Sequence, residues 1–220
     1  MFDCAAPLQE ITPPRHSLPP NACDSHCHVF GPAAIFPFIE ERPYTPPDAP
    51  VEKLQALHRR LGISRAVIVQ PGCHGFDMSA VLDALDKGKG QYRGVALLAP
   101  DASSDQVRHL DARGVRGVRF NFVAHLGNSG WPQIERIARL VAPFGWHICV
   151  HTDKASLPGV LPLLKKLGVP FVVDHMGRIS TNDGLHSDTF QALLSLKNHL
   201  NAWVKISGID PISGLGKRPF

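Results

Sequence analysis

The sequence predicts an α/β fold of the (β/α)8 barrel type, with about seven strands in this chain. Short apolar runs alternate with amphipathic runs of helical period, no glycine-rich nucleotide-binding motif follows any run, and polar side chains end most of the runs. The alternation alone fits both an open doubly wound sheet and a closed barrel. The polar strand ends favour the barrel, because barrel chemistry lies at the carboxyl ends of the strands.

Seven apolar runs are predicted to be strands and six amphipathic runs to be helices. Asp48 is expected to cap the first helix and Gly62 to end it. The apolar stripe of that helix is formed by Leu54, Leu57, His58 and Leu61. A proline-rich arm over residues 1–20 is expected to be extended, and an incomplete barrel domain over residues 21–220 follows it. The predicted strands cover residues 22–29, 65–70, 92–98, 115–120, 146–151, 170–175 and 202–207; the other helices cover 77–87, 104–113, 132–141, 156–167 and 188–200.

Composition excludes several classes of protein. No apolar run approaches the roughly 20 residues of a membrane helix, and the amino terminus lacks an apolar signal segment, so we expect a cytoplasmic protein without a membrane partner. Five cysteines without a C-x-x-C pair argue against a disulfide framework. The net charge of +4 is dispersed, which predicts no nucleic-acid partner and suits a small anionic substrate. A homo-oligomer is left open.

Two histidines, His26 and His28, stand at the end of the first predicted strand. Alternate side chains of a strand share one face, so both imidazoles should point the same way. Two neutral imidazoles can hold a metal ion or polarise a substrate carbonyl. Further polar residues end the other predicted strands, and in a barrel they would converge on one site. They are Gln70, Arg119, Asn121, His151, Asp153, Asp174, His175, Lys205 and Ser207.

Six segments in the same order resemble the amidohydrolase superfamily, specifically the amidohydrolase-related group that contains the 2-pyrone-4,6-dicarboxylate lactonases. The resemblance implies a barrel hydrolase that opens a lactone ring in the degradation of aromatic compounds. The segments are residues 21–32 (NACDSHCHVFGP), 44–46 (YTP), 70–75 (QPGCHG), 116–122 (RGVRFNF), 173–177 (VDHMG) and 203–208 (WVKISG).

The resemblance also implies roles for individual residues. His26 and His28, with His175 at the end of strand 6, would hold the carbonyl under attack or a metal ion. Tyr44 would donate a hydrogen bond to the lactone. Arg119 would pair with a substrate carboxylate, because a guanidinium can bind a carboxylate through two parallel hydrogen bonds. An ion pair between Arg119 and a neighbouring acid is the alternative.

The predicted substrate-binding set also includes Asn121 and His125. In the pyrone lactonases a second carboxylate-binding arginine would fall at His125 and a third near Pro211. The substrate is therefore expected to carry fewer negative charges, or charges in other places, although 2-pyrone-4,6-dicarboxylate remains the leading candidate.

His151 is a further departure from the pyrone lactonases, which have an aromatic residue there and work without a metal. Metal-dependent members of the superfamily have a metal-binding histidine at this position. His26, His28 and His151 would together supply three imidazoles for Zn²⁺. Because strand 4 ends in Arg119 rather than a lysine, a binuclear centre is not expected. The predicted cofactor is thus none or one divalent metal, zinc if one is present.

No eighth strand is predicted after Ser207, although the superfamily's general base is an aspartate ending strand 8. The chain is therefore expected to be truncated, with strand edges left unpaired. Loss of a positioned general base would lower turnover about 10²–10⁴-fold.

Three functions remain at this stage. The leading one is a lactonase in which water attacks the ring carbonyl and the histidines stabilise the oxyanion. The second is a metal-dependent decarboxylase of the same superfamily, with zinc on His26, His28 and His151 and with His175 as the acid or base. The third is a catalytically dead barrel that binds a ligand or a partner. A nuclease function, which also uses such a histidine pair, is not expected, because the sequence shows no basic face for nucleic acid.

Overall fold

The computed structural model describes residues 2–8, 10–123, 130–210 and 212–214. Within these residues the chain forms nine strands and six α-helices. The strands are β1 (Phe2–Asp3), β2 (Cys23–Cys27), β3 (Tyr44–Thr45), β4 (Arg65–Val69), β5 (Tyr92–Ala96), β6 (Val115–Asn121), β7 (His147–His151), β8 (Phe171–Val173) and β9 (Ala202–Val204). The helices are α1 (Val51–Leu61), α2 (Ser79–Lys87), α3 (Ser104–Ala112), α4 (Trp131–Val141), α5 (Leu157–Leu164) and α6 (Asp188–Leu194).

Seven of the strands form one parallel sheet in the order β2-β4-β5-β6-β7-β8-β9, which is the order of the chain. These are the seven predicted strands, and the α/β class is confirmed. Several strands are shorter than predicted. For example, β9 ends at Val204 because its registered partner, Val173, is the last residue of β8. The predicted strands are longer because the apolar residues of each run continue past the residue at which the neighbouring strand stops pairing.

Contacts divide the chain into two compact units, Met1–Arg116 and Gly117–Phe220. The first unit contains β1 to β5 and α1 to α3, around a core that includes Ile68, Val69, Val81 and Val95. The second contains most of β6, together with β7 to β9 and α4 to α6. Its largest fully buried side chains include Trp146, Phe171, Ile134 and Ile137.

Helix α1 of the first unit ends as predicted but begins differently. Gly62 adopts φ 76°, and its N–H bonds to carbonyls of the last turn. The predicted cap at Asp48 is wrong: the N-cap residue is Pro50, and Asp48 Oδ1 accepts a hydrogen bond from Ala33 N at 2.9 Å. Asp48 lies two residues before the N-cap, and its carboxylate stabilises the preceding loop instead.

The amino-terminal arm is mostly irregular, in agreement with its prolines. Its first residues are an exception, because they form strand β1. This strand pairs in parallel with β3, with Phe2 opposite Tyr44. None of the helices in the described parts of the chain is long and apolar enough to cross a membrane.

Strand β2 contains an irregularity. Asp24 pairs with Ala66 and Cys27 pairs with Ile68, so three steps along β2 are matched by two steps along β4. One extra residue in a strand is a β-bulge, which redirects the side chains around it.

The carboxyl ends of β7, β8 and β9 in the second unit are aligned by the register of the strands. Val150, Val173 and Val204 are registered with one another across β7, β8 and β9. The next residue of each strand is polar: His151, Asp174 and Lys205. Parallel pairing therefore sets these three polar groups side by side, as the predicted row of strand ends requires.

Candidate active site

The histidine pair of the first unit lies at the end of β2. The rings of His26 and His28 are perpendicular, with centroids 5.1 Å apart. His28 Nδ1 lies 2.7 Å from the carbonyl oxygen of Val69, to which it donates. Because a carbonyl can only accept, this bond fixes the proton of the neutral ring on Nδ1 and leaves the lone pair on Nε2. His28 can therefore ligate a cation or accept a hydrogen bond through Nε2.

A cavity of about 530 Å³ lies beside His28 in the first unit. Its walls are largely apolar, with Phe30 next to His28, and two cationic side chains, Lys53 and Arg60, among them. A space of this size with few polar groups is typical of sites for small ligands. The remaining lining residues come from the arm and from α1 and the segment before it: Pro7, Leu8, Ile11, Ala49, Leu54, Ala56 and Leu57.

Tyr44 is half-buried in β3 of the first unit. Burial raises the pKa of the Cys73 thiol to about 11, and a hydrogen bond between Tyr44 and that thiol acts in the opposite direction. The phenol of Tyr44, predicted to bind the lactone, is thus held next to a buried protonated thiol.

A buried ionic cluster occupies the strand ends of the second unit. Asp174 is fully buried, and its Oδ2 accepts a hydrogen bond from Arg119 Nε at 2.8 Å. Lys205 Nζ lies 3.1 Å from Asp174 Oδ1. The ion pair considered as the alternative role of Arg119 therefore exists. It uses Nε, so it does not by itself occupy the outer guanidinium nitrogens that a substrate carboxylate would need.

Below this cluster, Lys205 Nζ also lies 3.8 Å from the Cys149 sulfur. Burial raises the pKa of Cys149 to about 12, which keeps it a thiol. Cys149 is fully buried, as expected for a small core residue, and provides no nucleophile.

His151 and His175 stand near each other in the second unit, with perpendicular rings 5.6 Å apart. His151 is buried, and neither ring nitrogen has a hydrogen-bond partner among the described residues. Burial, followed by the charge of Arg119, lowers its pKa to about 3, so its imidazole is neutral. His175 Nδ1 lies 2.9 Å from Ser207 Oγ, which orients the ring.

The backbone at His175 is unusual. His175, Met176, Gly177 and Arg178 all have positive φ, between 51° and 64°. Non-glycine residues rarely adopt this left-handed conformation, which often accompanies functional sites. The turn directs the chain away from β8 immediately after Asp174.

The remaining predicted substrate-binding residues differ in what the structure shows. Asn121 binds the backbone of Val123, with Oδ1 accepting from its N–H at 3.3 Å and Nδ2 donating to its carbonyl at 3.2 Å. This ring of bonds closes the end of β6. His125 lies outside the described residues.

Two partnerships were missed by sequence reasoning. Asp174 and Lys205 were recognised as strand-end residues but were given no role, and Asp24 was not considered. Asp24 Oδ2 lies 3.1 Å from Nε2 of His58, and that bond is the largest cause lowering the pKa of Asp24. A signal existed: His58 occupies an apolar position of α1, where a polar residue requires a buried partner.

The low pKa of His151 predicts a pH dependence of stability. The unfolded chain binds a proton here below pH 6.5, whereas the folded chain does so only near pH 3. Stability should therefore fall as the pH decreases between these values, by up to about 1.4 kcal/mol per pH unit from this residue. Urea unfolding at several pH values should show a shallower slope for H151F than for the wild type. The exposed-site control H109Q should keep the wild-type slope; equal slopes for H151F and the wild type would contradict the assignment.

Comparisons with known proteins agree with these features. The family model described as Amidohydrolase matches residues 23–219. A 2-pyrone-4,6-dicarboxylate hydrolase from Comamonas testosteroni is 40% identical over 207 residues, which are 93% of this chain and 68% of that protein. A 4-sulfomuconolactone hydrolase from Rhizobium radiobacter is 37% identical over 97% of this chain and 72% of its own length.

A solved structure from Pseudomonas putida shares the fold. It is provisionally named a 2-pyrone-4,6-dicarboxylic acid hydrolase, is 33% identical, and superposes with a TM-score of 0.78. The match covers 89% of this chain and 71% of that one. The predicted fold class and the predicted family resemblance are both confirmed.

Proposed function

Because the chain belongs to the amidohydrolase family, we propose that it is a hydrolase that opens the lactone ring of a small carboxylated substrate such as 2-pyrone-4,6-dicarboxylate. Two relatives with 37–40% identity are named as lactone hydrolases of anionic substrates, one a dicarboxylate and one a sulfonate. Both names share an ester within a ring and a negatively charged group beside it. That combination is the substrate class we assign to this chain.

The observation that carries the proposal is the charge of the cluster around Asp174. Two largely buried cations, Arg119 and Lys205, share one buried carboxylate, so the three groups together carry one positive charge. A buried excess charge is unfavourable unless a counterion balances it. A substrate carboxylate or sulfonate on the outer nitrogens of Arg119 would supply that charge.

In the proposed reaction, water attacks the ring carbonyl and the ester C–O bond breaks to give a carboxylate and an enol or alcohol. His26, His28 and His175 would bind the carbonyl oxygen and stabilise the negative charge that develops on it. Tyr44 would donate a hydrogen bond to the lactone. Arg119 would bind the anionic group, and Asn121 and His125 remain predicted members of the substrate-binding set.

Amidohydrolases are typically metal-dependent, and His28 has the features of a ligand. Its Nδ1 is bound to a backbone carbonyl, the arrangement that usually orients a metal-binding imidazole. We propose that one divalent ion, when bound, is held by His26 and His28 and polarises the lactone carbonyl. The predicted third ligand, His151, is buried and neutral, and it lies in the fields of the Arg119 guanidinium and of the opposing Asp174 carboxylate.

The test is hydrolysis of 2-pyrone-4,6-dicarboxylate and of 4-sulfomuconolactone by the purified chain. Enzyme should be in excess over substrate, so that a single slow turnover stays measurable. We expect ring opening faster than in buffer, with one oxygen atom from ¹⁸O-labelled water in the new carboxylate. Metal analysis of the same sample, before and after chelation, reports whether the activity depends on an ion.

Two results would contradict the proposal. Release of CO₂ without ring opening would identify a decarboxylase. Binding of both lactones, seen as an increase in melting temperature, without any ring opening would identify a barrel that binds ligands but does not turn them over.

A further inference from the structure

Three side chains of different chemistry meet between β2 and α1 in the first unit. Asp24 and Cys27 belong to β2 and His58 belongs to α1, and one ligand atom of each lies within 4.8 Å of the other two. A carboxylate oxygen, a thiolate sulfur and an imidazole nitrogen are the ligands that Zn²⁺ takes in proteins. We propose that Asp24, Cys27 and His58 form a Zn²⁺ site, distinct from the imidazoles of His26 and His28.

The bulge in β2 explains why Asp24 and Cys27 can reach the same point. In a regular strand, residues three positions apart face opposite sides of the sheet. Here three residues of β2 span two residues of β4, between the Asp24–Ala66 and Cys27–Ile68 pairs. The extra residue redirects one of the two side chains, and bulges of this kind are common next to functional sites.

His58 is the anchor of the cluster. It is 2% exposed, and its Nε2 lies 3.1 Å from Asp24 Oδ2. Its Nδ1 has no hydrogen-bond partner among the described residues. A structural ion pair would account for Asp24 and His58 alone, but it gives no reason for a thiol at the same point.

Cys27 is that third group, and it differs from the buried cysteines. It is half-buried rather than enclosed, and its sulfur lies 3.5 Å from the carbonyl oxygen of Val67. Asp24 is also accessible, with a side-chain exposure of 30%. An ion can thus approach from the side of Asp24 and Cys27 and reach the buried imidazole behind them.

The protons and charges of the three ligands can be accounted for when Zn²⁺ binds. The Cys27 thiol loses its proton to solvent when sulfur bonds to the metal. The proton on His58 Nε2, which the bond to the Asp24 carboxylate requires, moves to Nδ1, so that Nε2 offers its lone pair to the metal. The carboxylate and thiolate together neutralise the dication, and water completes the tetrahedron.

The geometry requires only a small adjustment. Two ligand atoms on a tetrahedral zinc lie about 3.5 Å apart, given metal–ligand bonds of about 2.0–2.3 Å. Asp24 Oδ2 and His58 Nε2 are 3.1 Å apart, slightly less than this spacing. The Cys27 sulfur lies within 4.8 Å of both atoms, so binding brings it closer to them. A sulfur and a nitrogen ligand exclude Mg²⁺ and Ca²⁺ as the preferred ions, since those take oxygen.

The experiment uses Co²⁺ as a spectroscopic substitute for Zn²⁺ on the whole chain. We expect an intense near-ultraviolet sulfur-to-cobalt absorption and visible bands of a tetrahedral ion, both abolished by added Zn²⁺. C27S should remove the sulfur band, and D24N should weaken Co²⁺ binding by about tenfold or more. The control is C23S, which alters an exposed cysteine of the same strand and should keep the band.

Absence of the sulfur band in the wild type at saturating Co²⁺ would overturn the proposal, as would its persistence in C27S. Since a metal held by His26 and His28 gives no sulfur band, the outcome does not depend on the proposed hydrolysis. Melting curves without added metal guard against misfolded variants: C27S, D24N and C23S should all unfold in a single cooperative transition, as the wild type does.

Discussion

Replacing Asp174 by asparagine is expected to lower the free energy of unfolding by about 3–5 kcal/mol. The carboxylate is fully buried, with Arg119 Nε at 2.8 Å and Lys205 Nζ at 3.1 Å. The amide keeps the shape of the side chain but removes the only negative charge of this cluster. Two largely buried cations then lose the carboxylate that both of them contact. Urea or guanidinium unfolding of both proteins measures the loss.

Two further variants separate this effect from a general sensitivity to mutation. D105N removes the carboxylate of an ion pair with Arg108 on the surface of α3, where Asp105 is 90% exposed. That change should alter stability by less than about 1 kcal/mol. The double variant D174N/K205M should be more stable than D174N, because one of the two unbalanced cations is gone. A loss in D174N no larger than that in D105N would show that the buried pairs contribute little.

Replacing His175 by asparagine is expected to lower kcat for lactone hydrolysis by about 10²–10⁴-fold, with a smaller change in KM. This prediction depends on the proposed function, in which the imidazole stabilises charge that develops only during the reaction. Asparagine is the suitable replacement, because it tolerates the left-handed backbone of His175, where φ is 53°. Single-turnover kinetics on the ring-opening reaction provide the measurement.

The matched control for H175N is H109N, at an exposed position of α3. It should leave kcat and KM unchanged. Circular dichroism and melting temperature should agree between the two variants. If H175N retained wild-type kcat with an intact fold, His175 would have to be removed from the catalytic set and its bond to Ser207 Oγ would be structural only.

The sequence predicted the order of strands and helices because each has a simple period. It also placed His151, Asp174 and Lys205 at strand ends, which the register of β7, β8 and β9 confirms. Prediction of the first helix cap failed at Asp48, since an acidic residue before a helix is a common cap, and only the structure shows that Pro50 takes that place.

Other features leave little trace in a single sequence. Nothing between Asp24 and Cys27 marks a bulge, because neither glycine nor proline occurs there. The pairing of Arg119 with Asp174 joins residues 55 positions apart, so periodicity within one element carries no information about it. In the sequence, only Gly177 indicates the left-handed turn at residues 175–178. The other three residues of the turn are not glycines, and such residues rarely adopt positive φ.

That turn also limits how this protein can diversify. A β-branched residue at position 175, 176 or 178 would meet the steric penalty of positive φ, roughly 1–2 kcal/mol for each residue. Met176 and Arg178 show that unbranched side chains are accepted there, so libraries that randomise these positions should return few valine, isoleucine or threonine residues, whatever substrate is used for selection. New specificities are more accessible at His151, whose backbone belongs to the regular strand β7 and accepts any side chain of suitable size.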